Sequence, residues 1–122
     1  MTKQEYNEYI QALKDHGYKF CGSWYNNPYY YKVIEYRKDE DGDNRAVCQL
    51  IFYLYETKDN RNGNVYYSIE PVVMVSRNIE ERLDLNVCHP KRSIDECERI
   101  AKEFMRWVDM NIKEIKDDSR TT

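Results

Sequence analysis

Glycine, proline and histidine are scarce in this chain, four, three and two among 122 residues. That scarcity excludes much chemistry: there is no glycine-rich phosphate loop, no nucleophile elbow and no paired His-Glu metal motif. His16 and His89 are the only side chains whose ordinary pKa lies near neutrality, and neither stands in a catalytic context. Long apolar runs are missing too. None approaches the ~18 residues that a bilayer crossing takes, and the opening Met-Thr-Lys-Gln-Glu is polar where a secretory signal would be apolar. The expectation is a cytoplasmic protein with no membrane contact.

A basic block is also lacking. The net charge is −3, and residues 1–38 carry six Lys/Arg against four Asp/Glu, residues 45–92 seven against six, and residues 93–122 six against eight. The loop from Asp39 to Asn44 alone contributes four acids. A polyanionic ligand needs a concentrated basic stripe, so this balance disfavours nucleic acid as the partner.

The four cysteines, Cys21, Cys48, Cys88 and Cys97, form no tight motif, and Cys48 and Cys97 fall on apolar faces, where a reduced thiol acts as a small hydrophobe. Cys88 and His89 are adjacent, but neighbours in an extended segment point to opposite sides, which does not make a dyad. Cys88, His89 and Cys97 lack the paired spacing of a structural zinc site. In the acidic loop a calcium ladder would begin on the cation Arg37, so a solvated hairpin tip accounts for Asp39-Glu40-Asp41-Gly42-Asp43-Asn44 better. His16 suits the last turn of a helix, where its ring meets the negative end of the dipole. No catalytic residue, metal site or cofactor is expected, and the protein is read as a non-enzyme.

Tyrosine, by contrast, is abundant: twelve in all, ten of them between Tyr18 and Tyr67. Its large ring and polar tip suit both a wet core and a contact face. The length allows one domain, expected over residues 1–116 with a frayed polar tail at 117–122. A helix is predicted from Lys3 to His16, capped by Thr2 and Glu5 and stopped by Gly17, with Tyr6, Tyr9, Ile10 and Leu13 on its apolar stripe. Then the period becomes two. Tyr18, Phe20 and Trp24 alternate with polar residues as a strand buried on one side, and Asn26-Asn27-Pro28 turns the chain.

Three further strands are predicted over 29–38, 46–56 and 65–76, joined at Asp41-Gly42 and Asn62-Gly63, dipeptides that favour two-residue hairpin turns. After a helical turn near Asn78 to Arg82, a short fifth strand is a further candidate at 83–87. Ser93 and Glu96 open a long amphipathic helix running to about Ile115. The fold class is therefore α+β: an N-terminal helix, a four-stranded antiparallel meander with a candidate fifth strand, and a long C-terminal helix.

Two-residue turns fix a register. They set Leu54 opposite Pro71, Phe52 opposite Val73 and Leu50 opposite Val75, giving a core face of Cys48, Leu50, Phe52, Leu54, Val73 and Val75. The other face then collects Ile51, Tyr53, Tyr55, Val72, Met74 and Glu70, with Tyr30, Lys32, Ile34 and Tyr36 from the preceding strand. Two apolar faces require that something cover the second: a helix of this chain on each side, a second copy, or a ligand. The expected function is non-catalytic binding of a protein partner, or of a second copy as a homodimer, through Tyr30, Lys32, Ile34, Tyr36, Ile51, Tyr53, Tyr55 and Met74. The aromatic centre supplies affinity, and Lys32 and Glu70 supply orientation. Single-stranded nucleic acid stacking on the same rings is the alternative, disfavoured by charge.

Overall fold

Thr2 begins the first helix, α1 (Lys3–Asp15): its hydroxyl accepts from the Glu5 backbone and the Glu5 carboxylate accepts from the Thr2 backbone, a complete capping box. Gly17, at φ +84°, turns the chain out of it. The structure is a computed structural model, and residues 1–22, 27–87 and 93–113 are described. Five strands follow, β1 (Lys19–Cys21), β2 (Tyr29–Lys38), β3 (Asn44–Lys58), β4 (Val65–Val75) and β5 (Leu83–Asn86), and then α2 (Ile94–Asn111). Each strand pairs antiparallel with the next in chain order, so the α+β meander has the full fifth strand. Ser93 caps α2 by accepting from the Glu96 backbone, and the helix ends at Asn111 with Ile112 already extended, short of the expected Ile115. Trp24, Cys88, His89, Ile115 and the polar tail at 117–122 lie outside the described residues.

The hairpin loops differ from the two-residue turns read from the sequence, and the difference decides the faces. At the β2–β3 connection the Asp39 backbone N–H donates to the Asp43 carbonyl, so the loop is the three residues Glu40-Asp41-Gly42, with Gly42 at φ +84°. The Asp39 carboxylate accepts from the backbones of Asp41 and Asp43 and shapes the tip. Tyr30 consequently pairs with Phe52 and Lys32 with Leu50, one residue from the expected register. At the β3–β4 connection the loop is four residues, Asn60 to Gly63, closed by Asp59 and Asn64. Here the shift is two residues: Leu50 pairs with Val73, Phe52 with Pro71 and Leu54 with Ile69. A two-residue shift keeps every side chain on its face, whereas a one-residue shift reverses them all.

Both helices pack on the same side of the sheet, against Leu50, Phe52, Val73 and Val75, all with no exposed surface. The Tyr6 ring of α1 lies 5.0 Å from Tyr67, and Tyr9 lies 5.8 Å from Phe52. From α2 come Cys97, Ala101, Met105 and Val108, with the Cys48 thiol 3.7 Å from the Ala101 carbonyl. Burial pushes that thiol up to about 12. The architecture is two layers, helices over sheet, and not a sheet between two helices. Phe20, expected to be buried, is exposed at the edge of the layer, where its ring lies 5.3 Å from Tyr30. Pro71 fits the interior of β4 because its carbonyl accepts from Val87 on the β5 side, so its missing N–H falls on that side and costs the β3 ladder nothing.

The β2–β3 pairing is irregular between Val33 and Tyr36, where Glu35 pairs with Cys48 and Tyr36 with Ala46. The bulge turns Glu35 and Arg37 toward α2. Arg37 donates to both Asp109 oxygens, at 3.0 and 2.5 Å, and the Arg77 guanidinium, 3.9 Å from Asp109, also engages the buried Glu81 at 2.8 Å. The Glu81 carboxylate, almost fully buried, persists as a charge only because Arg77 pairs with it. Arg37 holds the Asp109 carboxyl below its ordinary value of 3.8.

Two measurements follow from these features. Gly63→Ala should cost about 1 kcal/mol in chemical denaturation through backbone strain alone, because its φ is +74° while an added Cβ would meet nothing within 4 Å; an unchanged midpoint would contradict the loop geometry. With the folded pKa of Asp109 lowered, its contribution is complete above the ordinary 3.8 and is lost as pH falls through the folded value. Asp109→Asn should therefore lower stability at neutral pH and flatten its acid dependence below about pH 4. A parallel acid limb in the two proteins would remove Arg37–Asp109 from the account.

Candidate functional site

The face away from the helices is built as three cross-strand ladders. One runs Cys21, Tyr29, Tyr53, Glu70; the next Lys19, Tyr31, Ile51, Val72, Asn86; the third Val33, Gln49, Met74, Asp84. Tyr55, opposite Ser68, extends the first hairpin row. Tyr36 lies between Glu35 and Arg37, which both turn to α2, and so belongs to this face, 60% exposed. No described element packs over these residues. Ile51 is nevertheless only 5% exposed, because tyrosines crowd around it. The rings of Tyr29 and Tyr53 are 5.6 Å apart and those of Tyr29 and Tyr31 6.1 Å, within the range of favourable aromatic pairs.

Of the eight binding residues expected from sequence, the structure brings Tyr36, Ile51, Tyr53, Tyr55 and Met74 to this face. Tyr30, Lys32 and Ile34 are corrected to the helix side by the three-residue loop. Tyr30 is 7% exposed in the core. The Lys32 ammonium donates to Glu98 of α2 at 3.0 Å and to the His16 carbonyl at the end of α1 at 3.1 Å, and lies over the Tyr18 ring at 5.5 Å. Lysine there fastens the two helices and meets the negative end of the α1 dipole. Ile34 packs against the core cluster. In exchange the face gains Tyr29, Tyr31, Val33, Lys19 and Arg82, which the sequence reading did not place on it. The signal that could have found them is the Asp39 acceptor three residues before Gly42, the pattern of a three-residue loop.

Between the ladders lies an open concavity of about 410 Å³ lined by Asn27, Tyr29, Ile51, Tyr53, Tyr55, Met74 and Arg82. Arg82 is held by Asp84, donating to both carboxylate oxygens at 3.0 and 3.1 Å. A hydrogen bond with Cys21, then burial and the nearby Tyr53 and Tyr31, push Tyr29 up to about 12. Burial, with the Glu70 charge and its hydrogen bond, raises Tyr55 as well. These phenols stay neutral at physiological pH, able to donate and accept hydrogen bonds across an apolar floor. Such a surface can dock and orient a partner.

The other candidate groups do not converge on it. His16 sits at the end of α1, its Nδ1 2.8 Å from the Ala12 carbonyl and its Nε2 3.5 Å from Asp95. Cys48 of β3 and Cys97 of α2 are buried between helix and sheet, while Cys88 and His89 fall outside the described residues. Among the described residues no three His, Cys, Asp or Glu side chains gather as metal ligands, and no helix is long and apolar enough to cross a membrane. No family model, no curated protein and no solved structure matches this chain.

Proposed function

We propose that the protein is a non-catalytic interaction module that binds another protein through the open face of its sheet. One observation carries this reading: three aromatic and aliphatic ladders lie on a face that no described element covers, with charged side chains only at their ends. Protein contacts have this composition, a centre of Tyr, Ile and Met ringed by charge. Desolvating Tyr31 together with Tyr53 and Met74, which line the concavity, supplies the affinity, and Lys19, Glu70 and Asp84 set the orientation. Single-stranded nucleic acid fits the face less well. With Lys32 turned to the helices, the cations on this face among the described residues are Lys19, the Asp84-paired Arg82 and, at the far end of β2 beyond the ladders, Lys38, a scattered set where backbone binding neutralises several adjacent phosphates.

A photo-reactive phenylalanine placed at Tyr36, with Glu103 on the outer side of α2 as the control position, tests the reading in cells. Cross-links to protein are expected from position 36 and not from position 103; equal capture at both, or none at 36, would count against it. Tyr31→Ala with Tyr53→Ala should cut that capture, corresponding to about 2 kcal/mol or more of binding, while unfolding stays a single cooperative transition. Loss of cooperativity would instead place these rings in the core. Salt-sensitive amide shifts on Lys19, Tyr31 and Tyr53 upon titration with a mixed-sequence single-stranded oligonucleotide would reassign the face to nucleic acid.

A further inference from the structure

We propose that the protein on the open face is a second copy of this chain, packed sheet to sheet about a two-fold axis parallel to β3; this rests on the reading of that face as a protein contact. The ends of the ladders carry the argument. Lys19 stands alone at the β1 end of the central ladder, with no carboxylate partner among the described residues. The acids stand at the opposite side, Glu70 on β4 ending the first ladder and Asp84 on β5 ending the third. A two-fold axis through Ile51, lying along β3, carries the β1 edge of each copy onto the β5 edge of the other. Lys19 of one copy then arrives over Asn86 of the other, between Glu70 and Asp84. Both edges are satisfied at once, as an isologous contact requires. A heterologous partner would need no such self-complementarity.

Shape agrees with charge. The same operation sets Tyr31 of each copy over Val72 of the other, beside the concavity walled by Ile51, Tyr53, Met74 and Arg82. A phenol thus meets a hollow on both sides of the axis. At ~4.8 Å spacing, with rows of ~25 Å on β2, β3 and β4 and ~10–13 Å on the short β1 and β5, the face gives about 470 Å² per copy, or roughly 950 Å² in all, the size of a weak, reversible interface. Arg82 is already occupied by Asp84, so the unbalanced charges left to meet are Lys19 and Glu70.

Charge exchange between copies tests this. Sedimentation equilibrium of the whole chain should show a reversible monomer–dimer equilibrium with a micromolar Kd. Lys19→Glu alone and Glu70→Lys alone should each weaken it by about ten-fold or more, since every dimer then holds two like-charge contacts. Mixing the two variants, or combining both changes in one chain, should restore wild-type association; no adventitious contact would recover that way. A failure of rescue with both variants folded would overturn the two-fold arrangement. A wild type that stays monomeric up to about 500 µM would overturn the second copy altogether. In that case a soluble nitroxide decides what else falls. Broadening at Tyr31, Tyr36 and Tyr53 leaves the open face available to a different protein, and protection there shows the face covered within the monomer and overturns the reading beneath the inference too.

Discussion

The pairing of β2 with β3 determines which side chains the helices cover and which they leave. Its register is set at one point, the three-residue loop Glu40-Asp41-Gly42, where the Asp39 carboxylate gathers two backbone N–H groups and Gly42 takes the left-handed conformation. From there alternation propagates along β2. Tyr30 and Lys32 go to the helices, while Tyr29, Tyr31 and Val33 go to the opposite side. A two-residue loop would exchange these sets, burying two phenols and a valine and sending out the lysine that joins α1 to α2. The site and the helix clasp are alternative uses of the same strand.

The bulge at Ile34 and Glu35 complements that loop. Continued without it, alternation would place Tyr36 under α2 and leave Glu35 and Arg37 outside. With it, Arg37 reaches Asp109 and Tyr36 joins the open face. The helical layer is thus held at both ends by charge, Lys32–Glu98 near the start of α2 and Arg37–Asp109 near its end, with Cys97, Ala101, Met105 and Val108 packed between them. Partly exposed pairs of this kind contribute less than the core in energy, about 1 kcal/mol each or below, but they fix the rotation of α2 about its axis. Hydrophobic burial alone is non-directional.

Much of this architecture was legible in the sequence because its signals are local. Thr2 with Glu5 and Ser93 with Glu96 announce helix starts, Gly17 a helix end, and the alternation from Cys48 to Leu54 a buried strand face. The faces of β3 and β4 survived a misjudged loop because the error was even, Leu50 moving from Val75 to Val73 on the same side. The face of β2 did not survive, because the error there was odd. Tyr29-Tyr30-Tyr31 offers no apolar–polar contrast to arbitrate, and Lys32 reads as a surface residue until Glu98, 66 positions away, is known to face it. The one-sided placement of the helices was equally illegible: an amphipathic stripe states that a helix needs a sheet face, not which face it takes.

For the proposed contact, the edges of the sheet are a poorer place than its face. β1 is three residues long and β5 four, and the part of β2 beyond β1 carries the bulge with Lys32, Glu35, Arg37 and Lys38. Short strands, bulges and charge all discourage edge-to-edge pairing. Among the described residues, the outer edge of β4 is left without a strand partner from Val65 to Glu70, and pairing there would add a few backbone hydrogen bonds at about 1 kcal/mol net each. The open face offers several hundred Å² of largely apolar surface, at ~25 cal/mol per Å² a gross gain on the order of 10 kcal/mol before ordering costs. Tyrosine suits that balance, since a phenol keeps water on the face while it is bare and gives up an apolar ring when it is covered. On the proposed reading the ladder ends select what covers it: a surface that presents an acid where this one presents Lys19, and a base where this one presents Glu70.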